Sequence, residues 1–295
     1  GTSSYTGLTT VTSSSITYTN SGRPATSGFA GSGTVTIQPA ANSSFTSPFT
    51  ASYTYANTLK GLTLGSLSNT QTMTIGGAID IAGPVNVYGG SITANANITA
   101  TGGSVLLDAD SGTTLAQATH GIELGAGVAL KTVTSGDITL LGRSGSGSSC
   151  GTVSCRGIYA ANKATIESAG NTSMTGLSFT SGASGRGLDL FGVVINASGS
   201  LSITGQHATG ASYAIAFSPS GTTQSSLTAG TGITLETLNN SSAYIALGGT
   251  TALNGGTGDI VLTTPVVRCL KQKYPQAEVR YLTKVAYGPM LTSNP

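Results

Sequence analysis

Cys150 and Cys155 bracket the four residues Gly-Thr-Val-Ser in a stretch dense in glycine and serine. Cysteines so placed either close a short disulfide loop or stand as two free thiols on a turn, and a bridge would go with an oxidising compartment. His120 and His207 lie far apart beside small residues and share no metal-ligand spacing, which reads as two exposed turn positions. Asp108 and Asp110 look like a calcium corner, but the tandem Gly-Gly-x-Gly-x-Asp repeats that build such corners occur nowhere. The eight acidic residues before position 257 are spread too thinly for the paired carboxylates of glycoside cleavage. Gly185-Arg186-Gly187 is followed by no Lys-Ser or Lys-Thr and reads as a repeat corner, not a phosphate loop. Sequons at Asn42, Asn97, Asn171, Asn196, Asn239 and Asn240 are expected by chance in a chain so rich in Asn, Ser and Thr. Arg268, Lys271, Lys273 and Arg280 read as a solvated helix face. These residues point to no enzyme, no cofactor and no metal.

Composition explains why chemistry is so sparse. Of 295 residues 43 are Gly, none is Trp and 7% are charged, where an average soluble domain has about 25%. With 38% hydrophobic residues and a net charge of only +2, the chain escapes the disordered class and can bury a core. Small side chains make that core thin and repetitive. The near-neutral balance excludes a nucleic-acid partner. No apolar run reaches the length of a membrane-spanning helix, and a start at Gly1 without a signal sequence reads as a fragment.

The elements that must position any site are short alternating strands. Ala78–Ala82, Asn86–Tyr88, Ser91–Thr93, Asn97–Thr99 and Ser104–Leu107 each carry one apolar and one polar face, mostly bounded by Gly or Asn. The pattern recurs at 122–124, 137–140, 164–166, 188–190, 200–204, 233–235 and 244–247. A loose unit of Gly followed by polar-apolar alternation appears at 90–94, 136–140, 199–204, 232–236 and 258–262. Strands this short satisfy their backbones by stacking on the next coil, which predicts a β-helix. Residues 1–57, with Pro24, Pro39, Pro48 and clustered aromatics, read as looser coils, and Arg143–Arg156 reads as a projecting loop.

Residues 59–103, LKGLTLGSLSNTQTMTIGGAIDIAGPVNVYGGSITANANITATGG, resemble the repeat region of filamentous haemagglutinin-type bacterial surface adhesins, and the likeness extends over about residues 30–256. The resemblance implies an all-β fold, a right-handed parallel β-helix or solenoid, with 58–256 as its repeat region. It also implies export through an outer-membrane secretion partner and attachment at the bacterial cell surface. The partner would be a ligand on a host or neighbouring cell, with a glycan and self-assembly into fibres left open.

Residues 257–295, TGDIVLTTPVVRCLKQKYPQAEVRYLTKVAYGPMLTSNP, differ by their seven charged residues. The pattern predicts a short α/β segment: a helix capped by Thr264 with Pro265 at its first position, a strand over Ala277–Thr283 and a second helix from Val285 to Leu291. This segment resembles the start of lipopolysaccharide heptosyltransferases, the family 9 glycosyltransferases that use an ADP-linked heptose. The resemblance places Asp259, behind Gly258, as a general base toward a sugar hydroxyl. The family's first strand and its nucleotide-binding half are missing, so an inactive fragment, or a graft onto the repeats with Asp259 as an ordinary repeat residue, is the alternative reading.

Overall fold

The computed structural model describes residues 7–12, 14–19, 24, 26–109, 120–144, 155–179, 185–207, 213–238, 244–248, 252–255 and 260–263. Among the described residues there are 28 strands and no helix, and every pairing between strands is parallel.

The chain opens with β1 (Leu8–Val11), β2 (Ser15–Thr19) and β3 (Gly28–Gly31). From β4 (Thr34–Gln38), β5 (Phe49–Ala51) and β6 (Thr54–Tyr55) onward it advances in coils of three strands. The next coils are β7 (Gly61–Leu64), β8 (Thr72–Ile75) and β9 (Ile79–Ile81), then β10 (Val85–Tyr88), β11 (Ser91–Ala94) and β12 (Ile98–Ala100). Then come β13 (Val105–Ala109), β14 (Ile122–Leu124) and β15 (Ala129–Thr132), followed by β16 (Ile138–Arg143), β17 (Ile158–Ala160) and β18 (Thr165–Ser168). The last coils are β19 (Thr172–Leu177), β20 (Leu188–Phe191) and β21 (Val194–Ala197), then β22 (Ser200–Gln206), β23 (Tyr213–Ser218) and β24 (Ser226–Ala229). β25 (Gly232–Thr237), β26 (Tyr244–Leu247), β27 (Ala252–Gly255) and β28 (Ile260–Thr263) end the series.

From β7 onward each coil adds one strand to each of three sheets in the same order. The ten-stranded sheet runs β2-β4-β7-β10-β13-β16-β19-β22-β25-β28, the eight-stranded sheet runs from β5 to β26, and the seven-stranded sheet from β9 to β27. β1, β3 and β6 form a separate small sheet.

Alternation decides which side of each strand faces inward. Val35, Leu62, Val85, Val105 and Ile138 stand one above another in register, as do Ile37, Leu64, Val87, Leu107 and Leu140, and all of them are buried. Burying such a side chain contributes about 1.5–3 kcal/mol relative to exposure. A slip of one residue would turn a whole ladder outward, so the pattern fixes the register. The first ladder continues through Thr172 to Leu201, and the Thr172 hydroxyl is buried with no hydrogen-bond partner.

Polar residues stitch the turn from the seven-stranded to the ten-stranded sheet. Ser104 Oγ accepts the Asp137 N–H at 3.0 Å, Asp137 Oδ1 accepts the Asn171 N–H at 2.7 Å, and Asn171 Oδ1 accepts the Ser200 N–H at 2.9 Å. The Asp137 and Asn171 side chains each cross the glycine of the next coil. A Cβ on Gly170 would collide with Asp137 Oδ1, and one on Gly199 with Asn171 Oδ1. In the copies at 136–140 and 199–204 the Gly-polar start of the recurring unit is therefore this corner. The copy at 90–94 lies on the eight-stranded sheet instead.

The strands before residue 57 join the same array, since β4 pairs with β7 in register, and their core holds Phe29, Tyr53 and Tyr55 as rings 5.4–6.3 Å apart. One expectation changes in detail. Ile260–Thr263, grouped from the sequence with the α/β segment, is a parallel strand on β25 with Ile233 opposite Ile260. Thr263 is the last residue of the unit that holds the stack. The helices expected from Thr264 and Val285, and the strand expected over 277–283, lie outside the described residues.

Candidate functional site

The corner from the ten-stranded to the eight-stranded sheet is where the coils differ most. Between β10 and β11 only Gly89 and Gly90 intervene, whereas Ser144–Gly157 separate β16 from β17 and Ser178–Gly187 separate β19 from β20. Close-packed paired glycines bound both of these connections. Gly142, Gly176 and Gly205 stand in register at the ends of β16, β19 and β22. A Cβ on Gly142 would strike the Gly157 carbonyl, one on Gly176 the Gly187 carbonyl, and one on Gly205 the Ala214 carbonyl. Departing and returning backbones touch there, and only glycine on the departing side permits it.

The residue that re-enters each neck occupies the same place in successive coils. These are His120, Arg156, Arg186 and Tyr213, and the Gly121 and Gly157 N–H groups donate to the Arg156 and Arg186 carbonyls at 2.9 and 3.1 Å. On the outward face just beyond, Glu123, Tyr159 and Asp189 are in register.

These side chains converge on Asp189. It occupies an outward position of β20, yet its side chain is fully buried. Its Oδ2 receives Arg186 Nη1 at 2.8 Å and forms an ion pair with Arg156 Nε, while Oδ1 has no hydrogen-bond partner. A buried carboxylate is tolerable only with such compensation. The Arg156 guanidinium lies 4.8 Å from the Tyr159 ring centre, and His120 stacks on the same ring at 4.9 Å. Tyr159 meets Phe191 edge-on at 5.8 Å. Arg186 reaches over Tyr213 at 5.6 Å, and Arg143, at the neck of β16, lies over Phe179 at 4.5 Å.

His120 is a working part of this cluster. Its Nδ1 accepts the Arg156 backbone N–H at 3.1 Å, so the ring must be neutral there. Burial, helped by the Arg156 charge, lowers its pKa to about 4. His207 is buried and His120 half-buried, so neither histidine is the exposed turn residue expected from the sequence.

Cys155 is buried and disulfide-bonded, and its carbonyl accepts the Ser178 hydroxyl at 3.2 Å. Cys150, Asp110 and Asp259 lie outside the described residues, as do Arg268, Lys271, Lys273 and Arg280. Asp108 sits on the outer face of the ten-stranded sheet, where burial and the Asp108 charge together raise the pKa of Tyr88. Among the described residues no three His, Cys, Asp or Glu side chains gather as metal ligands.

Sequence reasoning passed over the arginine and aromatic cluster. The available signal was His120-Gly-Ile, Arg156-Gly-Ile and Arg186-Gly-Leu, each preceding a strand. With Asp189 engaged by two guanidiniums and His120 by an amide, the arrangement is built to hold and present charge and rings. No protein family, no curated protein and no solved structure matches this chain.

Proposed function

We propose that this chain is a fragment of a cell-surface exoprotein of the filamentous-haemagglutinin type, a right-handed parallel β-helix whose work is attachment. The parallel pairing and the fixed order in which each coil visits three sheets support that winding. The observation that carries the adhesive reading is the looped corner. Among the described residues this corner is repeatedly bounded by glycine necks, and the exits place Arg156, Arg186, Tyr159 and Tyr213 on neighbouring coils. Rows of weak contacts add up to useful avidity. The disulfide of Cys155 supports export to an oxidising surface, through an outer-membrane partner as in that family.

The register of Ile260–Thr263 on β25 favours Gly258-Asp-Ile-Val-Leu as one more repeat copy over the opening of a glycosyltransferase. The test is adhesion. Beads coated with the full chain are expected to stick to cell monolayers well above albumin-coated beads; retention no better than albumin would remove the reading.

A further inference from the structure

We propose that a groove at the corner between the eight-stranded and seven-stranded sheets binds a single carboxylated sugar, with Lys163 as its cation. The site lies at a different corner from the one assigned to attachment and does not depend on that reading.

Unequal turns make the groove. β20 reaches β21 through Gly192 and Val193 alone, whereas residues 161–164 link β17 to β18 and residues 219–225 link β23 to β24. The longer turns stand up on either side and leave a groove of about 650 Å³, lined by Gly127, Asn162, Lys163 and the turn 220–223. Small-molecule sites are usually of roughly 300–1,000 Å³. The far wall is pinned, because the Ser220 and Thr223 N–H groups each donate to the other's carbonyl, at 2.8 and 3.0 Å. Gly192 lets that turn fold down onto its coil, since a Cβ there would lie 2.9 Å from Ser220 Cβ.

Backbone strain singles out Lys163. Gly127, Lys163 and Gly192 each stand two residues before the register partners Ala129, Thr165 and Val194, and all three have left-handed backbones, with φ of +71°, +64° and +56°. Glycine adopts that conformation freely and a residue with a Cβ does not. The coils on both sides use glycine, whereas the coil that opens onto the groove keeps a lysine there. Strain of this kind collects at ligand sites. Lys163 is exposed and joins no ion pair among the described residues.

Charge and hydroxyls define the ligand. Lys163 is the one charged residue in the turns 125–128, 161–164, 192–193 and 219–225. The strands these turns join carry three acidic residues: Glu167 pairs with Lys131 at 2.9 Å, Asp189 is buried under Arg156 and Arg186, and Glu123 stands on the face of β14. A lone ammonium suits one carboxylate; a phosphate or a polyanion calls for further cations. Asn162, Ser220, Thr222 and Thr223 bring side chains that both donate and accept, which is what sugar hydroxyls require.

The experiment measures binding of the full chain to methyl glucuronide, to neutral methyl glucoside, to acetate and to inorganic phosphate. Methyl glucuronide is expected to bind, and each of the other three at least about tenfold more weakly, since each lacks either the charge or the hydroxyls. Lys163→Gly installs the residue of the neighbouring coils. It should weaken methyl glucuronide binding about tenfold at a melting temperature no lower than that of the original chain, a pairing that a structural role for the lysine would not produce. Lys163→Gln should weaken binding similarly, and Lys60→Gln, an exposed lysine before β7, should leave it unchanged. No binding of methyl glucuronide, equal binding of any of the other three probes, or full affinity or a lowered melting temperature in Lys163→Gly would each overturn the inference.

Discussion

The same corner is built in two ways along one stack. In the early coils it is closed from within: Asn69, with no exposed surface, lies between β7 and β8 and ties three segments together. Its Oδ1 accepts the Ser44 hydroxyl at 2.8 Å and the N–H groups of Gln71 and Phe45 at 3.2 and 3.3 Å, and its Nδ2 donates to the Tyr88 carbonyl at 3.3 Å. In the later coils the corner opens outward through glycine necks, and its buried polar centre, Asp189, sits outside the sheet under two arginines. The strands behind both versions carry the same aliphatic ladders. A uniform stack thus tolerates a variable corner, provided the buried charge or amide brought there is compensated by neighbouring groups.

The comparison breaks most sharply at a neck. Gly176→Val forces a side chain into the Gly187 carbonyl and should cost about 4 kcal/mol or abolish folding. Gly127→Ala, at a corner with open space but a φ of +71°, should cost only about 1 kcal/mol. Chemical denaturation of the two variants side by side measures the contrast. Asn69→Ala strands the Phe45 and Gln71 amides at the closed corner, for an expected loss of about 3 kcal/mol in the same assay.

Acid separates the two corners differently. His120 is neutral in the folded chain down to about pH 4 but takes a proton near its ordinary value of 6.5 when unfolded. Between those values the unfolded state binds the extra proton, so stability falls as pH drops from about 6.5 to about 4 and levels off below, by up to roughly 2–3 kcal/mol. His120→Gln should flatten that slope in thermal melts taken across the range, whereas Asn69→Ala should leave it unchanged. The smallest effect is a gain: Thr172→Val removes a buried, unpartnered hydroxyl from an aliphatic ladder and should raise stability by about 1 kcal/mol.

Much of the stack was legible because alternation with a period of two is local. Ile79–Ile81, Val85–Tyr88, Ile122–Leu124 and Leu188–Phe191 all follow from apolar-polar patterning. Strands such as Thr172–Leu177 and Tyr213–Ser218 were missed because Gly176 and the run Ala214–Phe217 break that pattern. In the first the glycine serves a neck, and in the second consecutive residues are buried on both faces. The looped corner was hidden for a related reason. Arg156, Arg186 and Asp189 lie up to 33 positions apart and become neighbours only through coil stacking, and irregular loop lengths conceal the period. Asn69 looked like any other polar residue of a Ser/Thr-rich stretch, since nothing local marks it as interior.

The most direct measurement compares adhesion of two surface variants of the full chain on coated beads. One is Arg143→Gln with Tyr213→Ala at the looped corner; the other is Lys131→Gln with Glu167→Gln, which removes an exposed ion pair of 2.9 Å on the seven-stranded sheet. Both should fold, with melting temperatures close to that of the original chain. The expected result is that the first loses most adhesion and the second keeps it. Equal adhesion by both, or equal loss in both, would contradict the assignment of attachment to the looped corner.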